Sequence, residues 1–300
     1  MKFLLTGDLH LTNQRPRNRI DDYEDTVLQK LIFIYETAVR NECSWILQPG
    51  DFFDNPSPSY SFFGKVIERL EHYQRRYNLG TLTVMGQHDL KFRNRDNTAL
   101  DALSKASVVV NGQGLFVPYA QIYIHCVSWG EEIPAIKNPD AFNVLLIHKM
   151  IVNDKPLWDG QEGHEFARAF LRKHKFDLIV SGDNHKCFWD SWGDRYIFNL
   201  GSMMRSSIAQ VDHQPHVVVF DTTFPRGYIE IPIPIKPAEE VFRIEEVQEE
   251  KKRDVELDAF VSGLTEHKEM GLSFQDNLRQ YAADNNIAAE IMDIIKEGME

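Results

Sequence analysis

The run Lys2-Phe3-Leu4-Leu5-Thr6-Gly7-Asp8-Leu9-His10 decides how the chain is read. A short, continuous apolar stretch is the signature of a strand buried on both faces, and this one stops at a glycine followed by two ligand-type side chains. The same design returns four times. It is seen in Trp45-Ile46-Leu47-Gln48-Pro49-Gly50-Asp51, in Leu82-Thr83-Val84-Met85-Gly86-Gln87-His88-Asp89, in Asn143-Val144-Leu145-Leu146-Ile147-His148 and in Asp177-Leu178-Ile179-Val180-Ser181-Gly182-Asp183-Asn184-His185. Open α/β sheets gather their ligands just beyond the carboxyl ends of the strands. Five such ends can therefore deliver their aspartates, histidines and amide to one site.

The segments between these strands set the fold class. Tyr23, Val27, Leu31, Ile34 and Ala38 recur at helical spacing between Asp22 and Arg40, and Phe62, Phe63, Val66, Ile67, Leu70 and Tyr73 do so after a Pro-rich loop. Strand alternating with helix predicts a largely parallel sheet with right-handed crossovers. Val108–Val110, Ile122–Ser128, Arg195–Leu200 and His216–Phe220 are short β-rich runs, read as a second sheet packed face to face on the first. The expected fold is a four-layer α-β-β-α sandwich with a small C-terminal cap or helical appendage. The catalytic domain is expected to occupy residues 1–228, followed by an extended segment at 229–252 that contains Ile231-Pro232-Ile233-Pro234-Ile235-Lys236-Pro237. Residues 253–300 read as amphipathic helices, with Leu257, Phe260, Val261 and Leu264 and then Ile287, Ile291, Ile294 and Ile295 at helical spacing.

Composition removes several classes. No apolar run approaches the roughly 20 residues of a membrane helix, and the N-terminus enters its first strand at Lys2, so a cytoplasmic protein with no membrane partner is expected. Cys43, Cys126 and Cys187 are odd in number and form no CxxC pair, which suggests neither a disulfide framework nor a structural zinc site. The net charge of -12 argues against a protein that coats nucleic acid through bulk charge, though local basic loops remain compatible with a nucleic-acid substrate.

At the strand ends, Asp8 and His10 can turn toward one ion, and the two carboxylate oxygens of Asp51 can bridge two cations about 3.5–4 Å apart. Glycine before the aspartate lets backbone and cation approach closely. A lone histidine at a strand end is more often a packing residue, and a Gly-Asp pair is most often a turn. Five such coincidences at five strand ends call for a common cause.

In this order and spacing, DxH, GD, G-[NQ]-H-D, a lone His and GxxH resemble the calcineurin-like metallophosphoesterase superfamily. Within it, Gly7-Asp8-Leu9-His10-Leu11, Gly50-Asp51-Phe52-Phe53-Asp54 and Asn199-Leu200-Gly201-Ser202 are most similar to the SbcD-type nuclease subunit of the double-strand-break repair complex, including short phage relatives. The resemblance spans roughly residues 1–245. It implies one metal held by Asp8, His10, Asp51 and His185, and a second by Asp51, Gln87, His148 and Asp183. It further implies that His88 sits over the scissile phosphate and stabilises charge or protonates the leaving oxygen, with Asp89 orienting it. Asn is usual in the family at position 87 and His at 183. The amide oxygen of Gln87 and the carboxylate of Asp183 suit harder cations, so two divalent ions are expected, manganese first and magnesium next.

Two basic clusters follow metal motifs: Arg15, Arg17 and Arg19, and Lys91, Arg93 and Arg95. They are read as contacts to a DNA backbone. The resemblance also implies a homodimer through helices around Ser61–Tyr77 and Asn97–Ser104, and an SMC-like ATPase partner of the SbcC type that docks on the C-terminal helices. The function expected is a metal-dependent DNA nuclease in break repair or recombination. The alternatives are a small-molecule phosphodiesterase or phosphatase, or a non-catalytic scaffold on the same fold.

Overall fold

In the computed structural model, residues 1–244 are described apart from 113 and 224–226, together with 282 and 287. The chain begins with strand and helix in alternation: β1 (Lys2–Leu5), α1 (Tyr23–Arg40), β2 (Trp45–Gln48), α2 (Tyr60–Tyr77), β3 (Gly80–Thr83), α3 (Ala99–Lys105) and β4 (Val110–Asn111). β1 to β4 pair in parallel in chain order. The helices start where local chemistry tells them to. Asp22 caps α1 by accepting the Asp25 N–H, and Glu24 and Asp25 add negative charge to its first turn. Ser59 caps α2 by accepting the Phe62 N–H, and Asn78 closes that helix in the left-handed conformation.

The second sheet is built from β5 (Leu115–Val117), β6 (Ile122–Val127), β7 (Phe142–His148), β10 (Leu178–Gly182), β11 (Phe188–Trp192) and β12 (Arg195–Asn199), in the order β11-β12-β10-β7-β6-β5. A small parallel pair, β8 (Ile151–Val152) and β9 (Glu165–Phe166), precedes α4 (Ala167–Lys173). The chain then returns to the first sheet. β13 (His216–Asp221) runs antiparallel beside β1, and β14 (Gly227–Pro232) covers its other edge, giving β14-β13-β1-β2-β3-β4.

Alternation along the strands creates the layers. Phe3 and Leu5 of β1 face Val144 and Leu146 of β7 and Leu178 and Val180 of β10 in the core between the sheets. Leu4 points the other way, into a core with Val27, Leu31 and Ile34 of α1 and Phe62, Val66 and Leu70 of α2. Leu145, Ile147 and Ile179 pack outward on Phe170 and Leu171 of α4. The result is the expected four-layer α-β-β-α sandwich. Full burial of each such Leu, Ile or Phe stabilises by about 1.5–3 kcal/mol, so every central strand is held from both faces.

Two sequence readings need correction. Val108–Val110 and His216–Phe220 are expected in the second sheet, but β4 and β13 belong to the first. An apolar β-run states that it is buried, not which of two stacked sheets it joins. The domain boundary after 228 falls inside β14, whose residues pair one for one with β13, and the first compact unit runs from Met1 to Val241, ending in a short helix, α5 (Ala238–Val241). The second unit comprises residues 242–300. The helices expected at 253–300 lie outside the described residues, save that the Ile287 N–H donates to the Ala282 carbonyl at 3.1 Å. Among the described residues no helix is long and apolar enough to cross a membrane.

Candidate metal centre

The parallel strands of both sheets release their carboxyl ends toward a common place. Asp8 and His10 follow β1, Asp51 follows β2, the turn Gln87–Asp89 follows β3, His148 ends β7, and Asp183 and His185 follow β10. Three of these residues sit in the left-handed region: His10 at φ 43, Asp51 at φ 49 and Asp183 at φ 77. Non-glycine residues are held there only where surrounding structure over-determines them, which is common at functional sites. Glycines supply the room. A Cβ on Gly182 would collide with Asp8 Oδ1, one on Gly50 with the His148 ring, and one on Gly86 with Asp51 Oδ1.

Each central carboxylate is half satisfied. Asp8 Oδ2 accepts the Asp183 N–H at 3.0 Å, and Asp51 Oδ1 accepts the His88 N–H at 2.9 Å. The other oxygens, Asp8 Oδ1 and Asp51 Oδ2, are buried without a hydrogen-bond donor. A buried, bare carboxylate oxygen is costly unless a cation meets it. Asp51 Oδ2 lies 3.6 Å from His10 Nε2 and 3.4 Å from His148 Nε2, between the two ligand groups. On one side, ligand atoms of Asp8, His10 and His185 lie within 4.8 Å of one another. On the other, Gln87 joins the set: its amide oxygen lies 2.8 Å from His148 Nε2, and its amide nitrogen donates to Asp183 Oδ1 at 2.8 Å. The longer stem of Gln87 therefore brings an amide oxygen among the second set of ligands. These residues fit two divalent cations with Asp51 between them.

The electrostatics agree with that fit. Burial pushes Asp8 up to about 7 and the negative charge of Asp51 adds to it, with His148 opposing. Burial acts on Asp51 in the same sense, but the close approach and charge of His148 and the charge of His10 outweigh it and hold Asp51 down at about 2. Burial works to lower His148, yet Asp51, Asp8 and Asp183 together push it up to about 10. His148 Nδ1 lies 2.7 Å from the Pro49 carbonyl, which can only accept, so Nδ1 carries a proton and Nε2 is the nitrogen turned to the site. His185 goes the other way: burial and the neighbouring His10 lower it to about 4, leaving a neutral imidazole ready to act as a ligand.

His88 stands over this centre, half exposed at its side chain, with its ring centroid 4.8 Å from that of His10. Asp89 does not orient it. The Asp89 carboxylate is wholly buried and accepts the N–H groups of Phe52 at 3.1 Å, Phe53 at 2.9 Å and Gly86 at 3.1 Å. It ties the Asp51 loop to the Gln87 loop. Burial and the charge of Asp51 push it up to about 6 against those three bonds. The partner of His88 is instead the backbone carbonyl of Asp54, 2.9 Å from Nδ1. Asp54 also belongs to the site, although its sequence context assigns it no role. Its carboxylate lies 3.4 Å from His10 Nδ1 and is held low by that histidine beside it. The signal that could find it is its place, three residues after Asp51 at the same strand end. Asn199 opens a motif the sequence displays without a role for this side chain; its amide donates to the carbonyls of Asn184 at 2.6 Å and Lys186 at 2.9 Å and so shapes the His185 loop.

The basic clusters divide. Arg15 and Arg17 are exposed on the loop after β1, and Lys91, Arg93 and Arg95 are exposed after the Gln87–Asp89 turn. Arg95 pairs with Glu131 at 2.8 Å. Arg19 is a correction: it is buried, binds Asp21 through Nε at 2.8 Å and Nη2 at 2.6 Å, and donates to the Arg205 carbonyl at 2.7 Å. Arg205 is also buried and donates to the carbonyls of Val211 and Lys236. Both arginines are engaged inside the domain, Arg19 by the Asp21 carboxylate and the Arg205 carbonyl, Arg205 by two backbone carbonyls.

A family model for calcineurin-like phosphoesterases matches residues 1–187. No protein with a curated description matches the sequence. Among solved structures, a Thermus thermophilus protein shares 13% identity at a TM-score of 0.48, covering 78% of this chain and 99% of its own. A dimetal phosphatase from Danio rerio shares 11% identity at a TM-score of 0.47, with coverage of 78% and 99%. An archaeal phosphodiesterase shares 13% at a TM-score of 0.41, with coverage of 77% and 99%.

Proposed function

This chain belongs to the calcineurin-like phosphoesterases, and from that premise we propose that its metal-dependent hydrolysis is directed at the phosphodiester bonds of DNA, as in an SbcD-like nuclease subunit. Asp8, His10 and His185 would hold one cation, Gln87, His148 and Asp183 the other, and Asp51 both. When bound, such cations lower the pKa of a coordinated water and neutralise charge on phosphate oxygens. The chain's own residues do the rest. The Pro49 carbonyl keeps His148 Nε2 aimed inward, and Asp89 fixes the loops that carry Asp51 and Gln87. Because the Asp54 carbonyl accepts the hydrogen bond of the His88 Nδ1–H, Nε2 is the nitrogen that can face a substrate, where an N–H donates to the leaving oxygen. The carboxylate and amide oxygens at positions 183 and 87 favour manganese, with magnesium second.

The observation that carries the choice of DNA is local charge. In a chain of net charge -12, the loops leaving two of the metal-bearing strand ends expose Arg15, Arg17, Lys91 and Arg93. Such side chains position a phosphate backbone without reading sequence. We further assign a homodimer to α2 and α3, and an SMC-like ATPase to the C-terminal segment, whose Leu257, Phe260, Val261 and Leu264 have the spacing of a groove-binding helix. The test is cleavage of end-labelled linear duplex DNA with manganese, with magnesium and with EDTA, beside bis-p-nitrophenyl phosphate and an Asp51→Ala control. Metal-dependent loss of DNA, absent in the control, is expected. Turnover of the small ester alone would replace the nuclease with a small-molecule phosphodiesterase.

A further inference from the structure

The loop after His88 folds back on itself as a two-residue hairpin. Lys91 and Asn94 pair antiparallel, the Lys91 N–H donating to the Asn94 carbonyl at 3.0 Å and the Asn94 N–H to the Lys91 carbonyl at 2.9 Å. The tip residues are Phe92 at φ 53 and Arg93 at φ 63. Tips of this hand are ordinarily Asn-Gly or Asp-Gly, because other side chains meet the backbone there. Neither backbone nor core accounts for a phenylalanine: the residue is 95% exposed.

The hairpin is nonetheless anchored. Arg95 at its base reaches Glu131 at 2.8 Å, Glu131 accepts the Ser128 N–H at 2.7 Å, and the Trp129 N–H donates to the Met85 carbonyl at 2.8 Å, directly before the metal-bearing turn. Four residues of chain reach at most about 14 Å, so the ring is tethered within about four stacked base steps of His88. Exposed Lys91 and Arg93 flank it.

We propose that Phe92 is a stacking platform for an unpaired base and that the preferred substrate is DNA with an unpaired or frayed end; this deepens the nuclease reading and rests on it. The cations beside the ring hold the backbone while the ring takes the face of a base, the arrangement by which proteins bind single strands without sequence preference. A fully stacked duplex end offers that ring less.

The test compares wild type with Phe92→Ala, Phe92→Trp and Phe92→Gly in manganese, on duplexes with blunt ends and with unpaired single-stranded ends, each rate divided by bis-p-nitrophenyl phosphate turnover of the same preparation. Glycine suits the left-handed tip, so Phe92→Gly separates loss of the ring from loss of the fold. A 2-aminopurine at the unpaired end, bound in EDTA, reports stacking without cleavage. We expect the unpaired-end rate to fall about tenfold in the alanine and glycine variants, to recover with tryptophan, and 2-aminopurine quenching to follow the ring. Normalised rates on unpaired ends equal to wild type in both small variants, with wild-type DNA cleavage intact, would overturn the role of Phe92 and leave the nuclease standing. Wild-type turnover of the small ester with no DNA cleavage or binding would overturn the nuclease reading and this inference with it.

Discussion

Asp8 and Asp51 each give one oxygen to a backbone N–H and keep the other bare and buried, and that asymmetry is not legible from the motifs. The ligand types are. Asp8, His10, Asp51, His148, Asp183 and His185 announce themselves because ligand-type side chains recur at five buried strand ends, a coincidence that turns and packing residues taken singly do not explain. Gln87 is resolved only by geometry, since its reach to His148 depends on where the turn places its stem. Asp89 misleads because proximity in sequence to a histidine says nothing of where a carboxylate points. Asp89→Asn should destabilise by about 2 kcal/mol, because a side-chain N–H would then face backbone N–H donors in the interior; the shift in urea midpoint measures it. His88→Asn should lower kcat by about two to four orders of magnitude while manganese affinity, read by calorimetry, stays within a factor of a few. Lys30 offers a test away from the centre. It is buried with one hydrogen bond, to the Met203 carbonyl at 2.9 Å, and burial, joined by the charges of Arg205 and Arg19 against that of Asp21, lowers its pKa to about 7. Between there and the ordinary lysine value near 10.4 the unfolded chain holds the extra proton, so stability rises with pH across that window. Melting temperature should climb more steeply from about pH 7 to 9.5 in wild type than in Lys30→Met.

At the scale of elements, the helices and the parallel strands are readable because their patterns are local. α1 begins one residue after its aspartate cap, and the apolar stripe fixes its buried face. Sheet membership is not readable: β13 returns across roughly 200 residues to pair with β1, and long-range pairing leaves no local mark. The glycines at the strand ends are the element-level device that matters most. Gly182→Ala would drive its methyl against Asp8 Oδ1, the Pro49 carbonyl and His148 Nδ1. We expect a folded protein whose manganese affinity falls at least about tenfold, the scale seen when groups that support metal ligands are disturbed; near-ultraviolet circular dichroism and calorimetry on one sample check both halves.

Over the whole molecule, two sheets drawn from different stretches of the chain close on one cation centre: the first carries Asp8, His10, Asp51 and Gln87, the second His148, Asp183 and His185. Composition alone points away from DNA, and only the placement of a few cations argues for it. Replacing Arg15, Arg17 and Arg93 together by alanine should lower the ratio of DNA to small-ester cleavage and flatten its salt dependence by up to about three contacts; an unchanged ratio would assign those side chains to solvent. The central claim is the pair of cations that needs both sheets. Manganese titration by calorimetry, with wild type, Asp51→Ala, His185→Ala and His148→Ala, tests it directly. The account predicts two ions per wild-type chain, one in each histidine variant and weakened binding of both in Asp51→Ala; a single ion in wild type, or two retained in His148→Ala, would contradict it.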